Sequence, residues 1–333
     1  MSTTVAAYQL VETDEGVRGR HTRIPLEDLG EGDVLIRVTH SSVNYKDGLA
    51  ATGRAPIARR LPLVGGCCAA GTVVEPGESG LPADTVVAVV GATLSEQHNG
   101  GYCEYLRVPA AWVVAVPEAF TSRQAAAIGT AGVTSAMAVV KLEDAGVTPE
   151  SGPIAVTGAS GGAGSLAVAL LAARGYEVTA LTGKPEAEDL LRDLGAANVA
   201  PRPDTSGTPP LERGTWAGAV DTVGGDTLAW LTRTVAPGGS IAAFGNAGGN
   251  RLTTTVLPFI LRGINLLGVT VTFPAAELRE RVWELLTSSL SREALDAIAT
   301  DVDFEDLDDA LRRIVTTGVV GRQVVRIGGE AAV

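Results

Sequence analysis

The stretch "PIAVTGASGGAGSLAVALLAARGYEVTALTGKPE", residues 153–186, carries the clearest structural signal in the chain. An apolar strand leads into a glycine-rich turn, a helix rich in alanine and leucine follows, and a second β-branched strand completes the unit. Gly158, Gly161 and Gly164 occupy the turn, where glycine lets the backbone approach a pyrophosphate and the helix N-terminus offers N–H donors. This context predicts a dinucleotide-binding βαβ unit, and a tight turn without a ligand is the alternative.

The residues after the second strand predict which dinucleotide is bound. An NAD site usually has an acidic residue at this point, which binds the ribose 2′-hydroxyl. Here the chain reads "ALTGKPE", residues 180–186, and no acid occurs before Glu186. A hydroxyl and an ammonium suit a 2′-phosphate instead, although a solvated lysine is the alternative for Lys184. We therefore expect NADPH, with its 2′-phosphate among Thr182, Gly183, Lys184 and Arg202.

The rest of the chain divides into two kinds of pattern. Residues 1–122 contain short β-branched strands separated by proline and glycine, which is typical of a compact antiparallel barrel. Strands and helices alternate over residues 123–271, which indicates a doubly wound parallel sheet. The late strand "GRQVVRIGG", residues 321–329, has no obvious partner in that sheet. We expect an α/β protein in which residues 1–122 and 272–333 form one domain and residues 123–271 form a second, inserted domain.

Charge and composition exclude several classes of function. The chain has 333 residues, a formal net charge of -12 and 45% hydrophobic residues. Such an acidic chain lacks the broad basic face that nucleic acids and anionic membranes require. Its beginning, "MSTTVAAYQLVETDEG", lacks the pattern of a signal peptide, and no apolar run reaches the roughly 20 residues that span a bilayer. We expect a cytoplasmic protein that acts on a small molecule, with no nucleic-acid or membrane partner.

The three cysteines, Cys67, Cys68 and Cys103, do not suggest a disulfide framework. Zinc requires about four closely spaced nitrogen, sulfur or oxygen ligands, and the chain has 3 histidines and no Cys-x-x-Cys. A catalytic zinc held by Cys67 or Cys68 with His98 and Cys103 is an open alternative. Buried thiols are the commoner explanation for such cysteines, and we expect no metal.

Six segments of the chain match, in order, the pattern of one family. They are "SSVNYKDGLAATG" (41–53), "AIGTAGVTSAM" (127–137), "VTGASGGAGSLAVALL" (156–171), "WAGAVDTVGG" (216–225), "TTVLPFILRGINLLGV" (254–269) and "GRQVV" (321–325). Together they resemble the zinc-free medium-chain dehydrogenase/reductases, and within these the subgroup of acrylyl-CoA reductases and YhdH-type quinone oxidoreductases. The resemblance spans nearly the whole chain, and "NYKD" with "PFILRG" is more specific than the glycine turn alone.

The resemblance implies a GroES-like β-barrel domain with an inserted Rossmann domain, NADPH as the cofactor and commonly a homodimer. It implies reduction of a C=C bond conjugated to a carbonyl, often in an acyl-CoA thioester. Tyr45 of "NYKD" would lie near the nicotinamide, and a core aromatic is the alternative for this residue. The other positions that match the family's cofactor site are Thr130, Ser160, Gly161, Gly162, Ala163, Thr182, Gly183, Lys184, Arg202, Asn246, Ile260 and Arg322.

Three departures from the family pattern fall where the substrate or the nicotinamide is expected. Cys68, in "VGGCCAAG" (64–71), stands where the family usually has an acid. The loop "GATLSEQHNGG" (91–101) replaces a loop rich in tryptophan and glycine, and Thr270–Phe273 replace a Ser-Val-Met stretch. These changes leave the cofactor prediction intact and leave the acceptor, acrylyl-CoA included, open.

For the reaction we expect hydride transfer to the β-carbon of an enone or enoyl thioester, which develops enolate charge on the carbonyl oxygen. Asn44, Tyr45 and Lys46 are the candidate catalytic residues, and the proton would come from Tyr45, Lys46 or water. An ion pair between Lys46 and Asp47 is the alternative role for that lysine.

A basic cluster in this acidic chain suggests how a substrate would be held. Arg54, Arg59 and Arg60 would bind a phosphate of CoA or of a carrier protein, and a solvated loop is the alternative. Together with Cys68 they are the candidate substrate contacts. Two rival hypotheses remain: an NADPH:quinone oxidoreductase, which would not need the arginines, and a non-catalytic NADPH-binding protein.

Overall fold

The structure, a computed structural model, describes residues 3–207, 209–272, 274–316 and 318–328. The chain forms two compact units, one of residues 1–130, 271–273 and 299–333 and the other of residues 131–270 and 274–298. Phe273, the last residue of the third departure from the family pattern, lies outside the described residues.

In the described part of the chain, sixteen β-strands and nine α-helices form these units. The strands are β1 (Thr4–Thr13), β2 (Gly16–Pro25), β3 (Val34–Val43), β4 (Leu63–Val64), β5 (Cys68–Glu75), β6 (Val86–Val90), β7 (Tyr105–Val108), β8 (Val113–Ala115), β9 (Ile154–Thr157), β10 (Val178–Thr182), β11 (Asn198–Pro201), β12 (Trp216–Asp221), β13 (Val235–Ala243), β14 (Asn265–Gly268), β15 (Ala299–Asp303) and β16 (Arg322–Arg326). The helices are α1 (Tyr45–Ala51), α2 (Ser122–Asp144), α3 (Gly162–Ala173), α4 (Glu188–Asp193), α5 (Gly225–Thr234), α6 (Leu257–Arg262), α7 (Ala276–Ser289), α8 (Arg292–Ile298) and α9 (Leu307–Thr316).

The first unit is built on sheets that are mostly antiparallel. One sheet has the strand order β2-β1-β4, and a seven-stranded sheet has the order β15-β16-β3-β5-β6-β8, with β7 also paired to β3. Strand β16 pairs antiparallel with β3, so the C-terminal strand rejoins the N-terminal strands as expected. Apolar side chains such as Tyr8, Leu10 and Leu106 fill the core between the strands. Short strands with β-branched residues on alternate positions produce this kind of barrel-like core.

The second unit is the predicted doubly wound parallel sheet. Its six strands have the order β11-β10-β9-β12-β13-β14, and all neighbours are parallel. Counted from β9, this order places the switch point of the topology between β9 and β12. Sheets of this kind bind ligands at the carboxyl ends of the strands beside the switch point. The glycine turn directly follows β9, so it lies at that point.

The two units differ from the sequence-based boundaries in two places. The first unit continues to Thr130, inside α2, where Gly129 interrupts the helix with a φ of 43° and a ψ of -153°. Residues 274–298 belong to the parallel-sheet unit rather than to the barrel, because α7 and α8 pack against α3 and bury Leu286 and Leu295. The sequence pattern of an amphipathic helix shows that it has an apolar face but not which core that face covers.

Helix α2 is long and apolar enough to cross a bilayer by length and composition. Its apolar window is 83% buried inside the protein. Burial of this extent is typical of a core helix, since a helix in lipid would present its apolar side chains outward.

Candidate functional site

The glycine turn brings the start of a helix against the end of a strand. Strand β9 ends at Thr157, α3 begins at Gly162, and the cap residue Gly161 provides no side-chain hydrogen bond. A Cβ atom on Gly164 would lie 2.2 Å from the carbonyl oxygen of Gly158, so only glycine allows this approach. Backbone amides without a side-chain cap, at the start of a helix of 12 residues, form a site that favours an anion.

The end of β10 adds polar groups beside this turn. The Thr182 hydroxyl donates to Ser160 Oγ at 2.8 Å and accepts from the backbone N–H of Lys184 at 3.1 Å. A Cβ atom on Gly183 would lie 2.4 Å from Nε of Arg202, so the exposed Arg202 side chain lies against the strand end. The structure therefore brings together the residues that the sequence predicts around the 2′-phosphate.

Asp221, a buried carboxylate that sequence reasoning missed, joins the ends of β9 and β12. It accepts a hydrogen bond from the Thr157 hydroxyl at 2.6 Å and from the Gly224 N–H at 2.8 Å. Burial raises the pKa of Asp221, and these hydrogen bonds oppose that rise. Asn246 lies at the same edge, since a Cβ atom on Gly224 would lie 3.2 Å from its Cα. The acid that ends the apolar run "WAGAVD" (216–221) was the available signal.

Four predicted cofactor residues do not belong to this group, and one of them, Tyr45, lies in the first unit. Ile260 stands on α6 with 68% of its surface exposed. Thr130 and Arg322 belong to the first unit, where Arg322 is buried. Their cofactor roles stay predictions.

In the first unit, Asn44 is held on both sides at the start of α1. Its backbone N–H and its side-chain amide donate to Asp47 Oδ2 at 3.1 and 3.0 Å, which is half of a capping box. Its side-chain oxygen accepts from Arg322 at 3.1 Å. Asp47, which ends the "NYKD" motif, therefore fixes the backbone that leads into the helix.

Tyr45, the first residue of α1, is half-buried. The aromatic residues that fill the core of this unit are Tyr8 and Tyr102. Among the described residues, the Tyr45 hydroxyl has no hydrogen-bond partner. It is therefore available to a ligand.

Lys46 forms an ion pair with Glu96 rather than the expected pair with Asp47. The Lys46 Nζ to Glu96 Oε1 distance is 2.6 Å, and both side chains are about a third exposed. Burial tends to lower the pKa of Lys46, but the carboxylates of Glu96 and Asp47 raise it above its ordinary value. The ammonium is therefore kept protonated. Glu96 lies in the altered loop 91–101, 50 residues after Lys46 in the chain. At that separation the sequence gave no sign that the two residues pair.

The vicinal cysteines are buried beside Asn44 and Asp47. The Cys67 backbone N–H donates to Asp47 Oδ1 at 3.0 Å, and the Cys67 thiol lies 3.4 Å from Asp47 Oδ2 and 3.4 Å from the Thr130 hydroxyl. The Cys68 thiol lies 3.0 Å from the Ser42 hydroxyl. Cys68, predicted as a substrate contact, is 1% exposed and faces protein groups.

The three arginines of the predicted phosphate cluster are all exposed. Arg54 donates to the carbonyl oxygen of Val315 at 2.5 Å. The other two contact the altered loop: the Arg59 backbone N–H donates to the Glu96 carbonyl at 2.7 Å, and Arg60 Nε donates to the Gln97 carbonyl at 2.6 Å. The loop that pairs with Lys46 therefore also anchors the arginine segment.

The side chains in the described ranges do not fit a zinc ion. All three cysteines are free and buried, as expected. His98 Nε2 lies 3.2 Å from the Arg107 carbonyl oxygen, and its ring packs edge-on against Trp112. No group of three or more His, Cys, Asp or Glu residues that could hold a metal occurs in the described ranges. The zinc alternative is not supported, and we derive no step through a metal.

Two family models match the chain. The alcohol dehydrogenase GroES-like domain matches residues 30–118, and the zinc-binding dehydrogenase model matches residues 162–288. The first span falls in the barrel-like unit, and the second falls in the parallel-sheet unit except for residues 271–273.

Several known proteins are similar to almost the whole chain. The acrylyl-CoA reductase AcuI of Ruegeria pomeroyi is 42% identical over 92% of this chain and 93% of its own. YhfP of Bacillus subtilis, which carries the name quinone oxidoreductase, is 40% identical over 98% and 100%, and its crystal structure with NAD bound matches with a TM-score of 0.91. A third similar protein is the YhdH oxidoreductase from Salmonella enterica, whose crystal structure is in complex with NADP. Its sequence is 39% identical, and the match covers 97% of this chain and 100% of the YhdH chain with a TM-score of 0.94.

The contacts at the end of β10 predict how substitutions change cofactor choice. Lys184→Asp and Arg202→Asp should each weaken NADPH binding about tenfold or more, because each loses a charged hydrogen bond of about 1.5–3 kcal/mol. NADH binding should change little, since NADH lacks the 2′-phosphate. Isothermal titration calorimetry with both dinucleotides measures this.

Arg192→Ala is the matched control, because Arg192 lies on α4 of the same unit and pairs with Glu188. It should leave both affinities unchanged. An equal loss of NADPH and NADH affinity in the Lys184 and Arg202 variants would show that the 2′-phosphate lies elsewhere.

Proposed function

Because the chain belongs to the medium-chain dehydrogenase/reductase family, as its sequence predicted, we propose that it is an NADPH-dependent reductase of a C=C bond conjugated to a carbonyl. This oxidoreductase family has the GroES-like and Rossmann domains expected from the sequence. The 42% identity to an acrylyl-CoA reductase over 92% of the chain carries the proposal. The contact of Thr182 with Ser160 and of Arg202 with Gly183 supports NADPH over NADH.

When bound, NADPH supplies a hydride to the β-carbon of the acceptor. The acceptor then holds enolate charge on its carbonyl oxygen, and a proton added to the α-carbon completes the reduction. We assign stabilisation of that oxygen to the Tyr45 hydroxyl, which has no hydrogen-bond partner among the described residues. Lys46, kept protonated beside Glu96, supplies positive charge next to Tyr45. The proton comes from Tyr45, Lys46 or water.

An acyl-CoA thioester is the substrate class that the charges favour. Arg59 and Arg60 are exposed cations in a chain with a net charge of -12. Their segment contacts the same loop, at Glu96 and Gln97, that pairs with Lys46. A phosphate bound by these arginines would therefore be held next to the helix that carries the candidate catalytic residues.

A quinone reductase is the second candidate, because YhfP carries that name and is 40% identical over 98% of this chain. A non-catalytic NADPH-binding protein is the third. A cytoplasmic location and the absence of nucleic-acid and membrane partners stay predictions that depend on the net charge.

We also propose that the protein is a homodimer. Strand β14 stands at the edge of the parallel sheet, and Leu266 on this strand is 37% exposed. Val256, Ile260 and Leu261, which are more than 60% exposed, lie at or near α6 shortly before it. An unpaired edge with apolar side chains is a template for pairing with a second copy.

The proposed activity is tested by NADPH oxidation over a panel of enoyl-CoA thioesters, enones and quinones. We expect turnover with the enoyl thioesters, and we expect Tyr45→Phe to lower kcat about 100-fold, the usual cost of removing one hydrogen-bond donor to a developing oxyanion. Tyr105→Phe, which changes another half-buried tyrosine of the same unit, should leave kcat unchanged. Turnover with quinones alone would favour the second candidate, and tight NADPH binding without turnover would favour the third.

The arginine proposal predicts an effect on KM that depends on the acceptor. Replacing Arg59 and Arg60 together by alanine should raise KM for an acyl-CoA substrate about tenfold, or about 1.4 kcal/mol, and should leave KM for a small enone unchanged. Arg20→Ala removes another exposed cation of the same unit and is the control. Equal KM values for both substrates in the double variant would rule out a phosphate site at these arginines.

The dimer proposal predicts that charge at the sheet edge separates the subunits. Leu261→Glu combined with Leu266→Glu should produce a monomer in analytical ultracentrifugation, because two buried charges would face each other across the interface. Val74→Glu changes an apolar side chain on β5 that is 44% exposed, and this control should remain dimeric. A monomeric unsubstituted protein would contradict the proposal.

A further inference from the structure

The Arg322 guanidinium is a buried cation with neutral hydrogen-bond partners. Only 3% of the residue is exposed. Its Nε donates to the Ala127 carbonyl at 2.9 Å, and its Nη1 donates to the Val43 carbonyl at 3.2 Å and to Asn44 Oδ1 at 3.1 Å. Its Nη2 donates to Ser42 Oγ at 2.6 Å. Among the described residues, no carboxylate forms an ion pair with it.

A buried cation is costly unless a negative charge lies near it. The Asp47 carboxylate, which Asn44 links to Arg322, is one such charge. The hydrogen bonds of Ser42 identify a second. Because the Ser42 oxygen accepts from Arg322, its own proton must point to another acceptor, and the Cys68 sulfur lies 3.0 Å away. A sulfur that accepts at this short distance is well suited to be a thiolate.

The three groups converge on one point of the backbone. A Cβ atom on Gly129 would lie 2.8 Å from Ser42 Oγ, 3.2 Å from Arg322 Nη2 and 3.2 Å from the Cys68 sulfur. This position has no side chain that could separate them. The sulfur and the guanidinium therefore interact at close range inside the protein, where electrostatic interactions are strong.

We propose that Cys68 is a thiolate that acts, through the Ser42 hydroxyl, as a counter-charge of buried Arg322 and so positions Asn44 directly before Tyr45. Arg322 links Cys68 to Asn44 through hydrogen bonds, since one of its nitrogens donates to Ser42, which contacts Cys68, and another donates to Asn44. Cys68 is then a positioning residue for the proposed reductase, and only the kinetic part of the test depends on that function.

The titration of neighbouring groups supports this assignment. A hydrogen bond from Cys67, with smaller contributions from Ser42 and Arg322, lowers the pKa of Cys68 to about 6 against the effect of burial. Its hydrogen bond to Cys68 raises the pKa of Cys67, and burial adds to this, so that Cys67 remains a thiol. Burial also raises the pKa of Asp47 and Tyr102 and lowers that of Arg322. Asp47, Cys67, Tyr102 and Arg322 are the charged and titratable groups that interact with Cys68 in the described part of the chain, and Lys46 interacts with the neighbouring Cys67.

The test measures thiolate absorbance in the ultraviolet as pH rises from below 6 to 9, in the intact protein. We expect the absorbance of a single thiolate with a midpoint near 6. Cys68→Ser keeps the size and the hydrogen bond but not the charge, and the signal should disappear. Cys103→Ser is the control: burial raises the pKa of Cys103 to about 11, so its loss should leave the signal unchanged. A signal that is missing from the unsubstituted protein, or that persists in Cys68→Ser, would overturn the proposal.

Stability and kinetics give two further measurements. Between pH 6 and 9 the folded protein has lost the Cys68 proton that the unfolded chain keeps, so this contribution to stability rises with pH and is lost as pH falls through 6. The unsubstituted protein should therefore have a higher Tm than Cys68→Ser, and this difference should grow as pH rises from 6 to 9. Cys68→Ser should also lower kcat on the order of tenfold with a smaller change in KM, because it misplaces an aligning group.

Cys68→Asp restores the negative charge and should recover most of the lost kcat. Equal losses in the serine and aspartate variants would show that charge is not the reason and would overturn the positioning role. If the unsubstituted protein has no reductase activity, the proposed function fails, whereas the absorbance titration still decides whether Cys68 is the thiolate.

Discussion

The contact between Gly164 and the carbonyl oxygen of Gly158 determines the geometry of the parallel-sheet unit at its functional edge. A side chain at Gly164 would lie 2.2 Å from that oxygen, so the contact exists only with glycine. It places the start of α3, without a side-chain cap, at the end of β9. Other polar groups are arranged around this point: Thr182, a predicted cofactor residue, bonds Ser160 from β10, and Asp221 bonds Thr157 from β12.

The barrel unit has a different constraint, which is the presence of several charged groups in a buried region. Asn44 forms hydrogen bonds with two of these charged groups, since it donates to the Asp47 carboxylate and accepts from the Arg322 guanidinium. Buried polar groups in such a network must all find partners, because an unpaired group in a region of low dielectric is costly. This requirement explains why the residues before Tyr45 are held so firmly. A rigid start to α1 is what a reaction that depends on alignment needs.

The departures from the family pattern acquire a physical meaning in this network. The altered loop 91–101 supplies Glu96, which pairs with Lys46, and Cys68 occupies a position beside Ser42 and Arg322. Neither change leaves a charge without a partner. These departures therefore lie among the surroundings of the candidate catalytic residues, whereas the predicted cofactor residues after β9 and β10 belong to the parallel-sheet unit.

The sequence alone determined the two-domain architecture, the parallel sheet, the return of the last strand to the barrel and the glycine turn between β9 and α3. These features depend on local periodicity and on glycines close together in the chain, which are visible without a structure. The packing of α7 and α8 on the parallel-sheet unit, the Lys46–Glu96 pair and the Thr157–Asp221 bond were decided only by the tertiary structure. Their partners lie far apart in the chain, 50 residues for Lys46 and Glu96 and 64 residues for Thr157 and Asp221. A linear pattern shows which residues carry charge, but the fold decides which of them are buried together, and burial is what makes their pairing necessary.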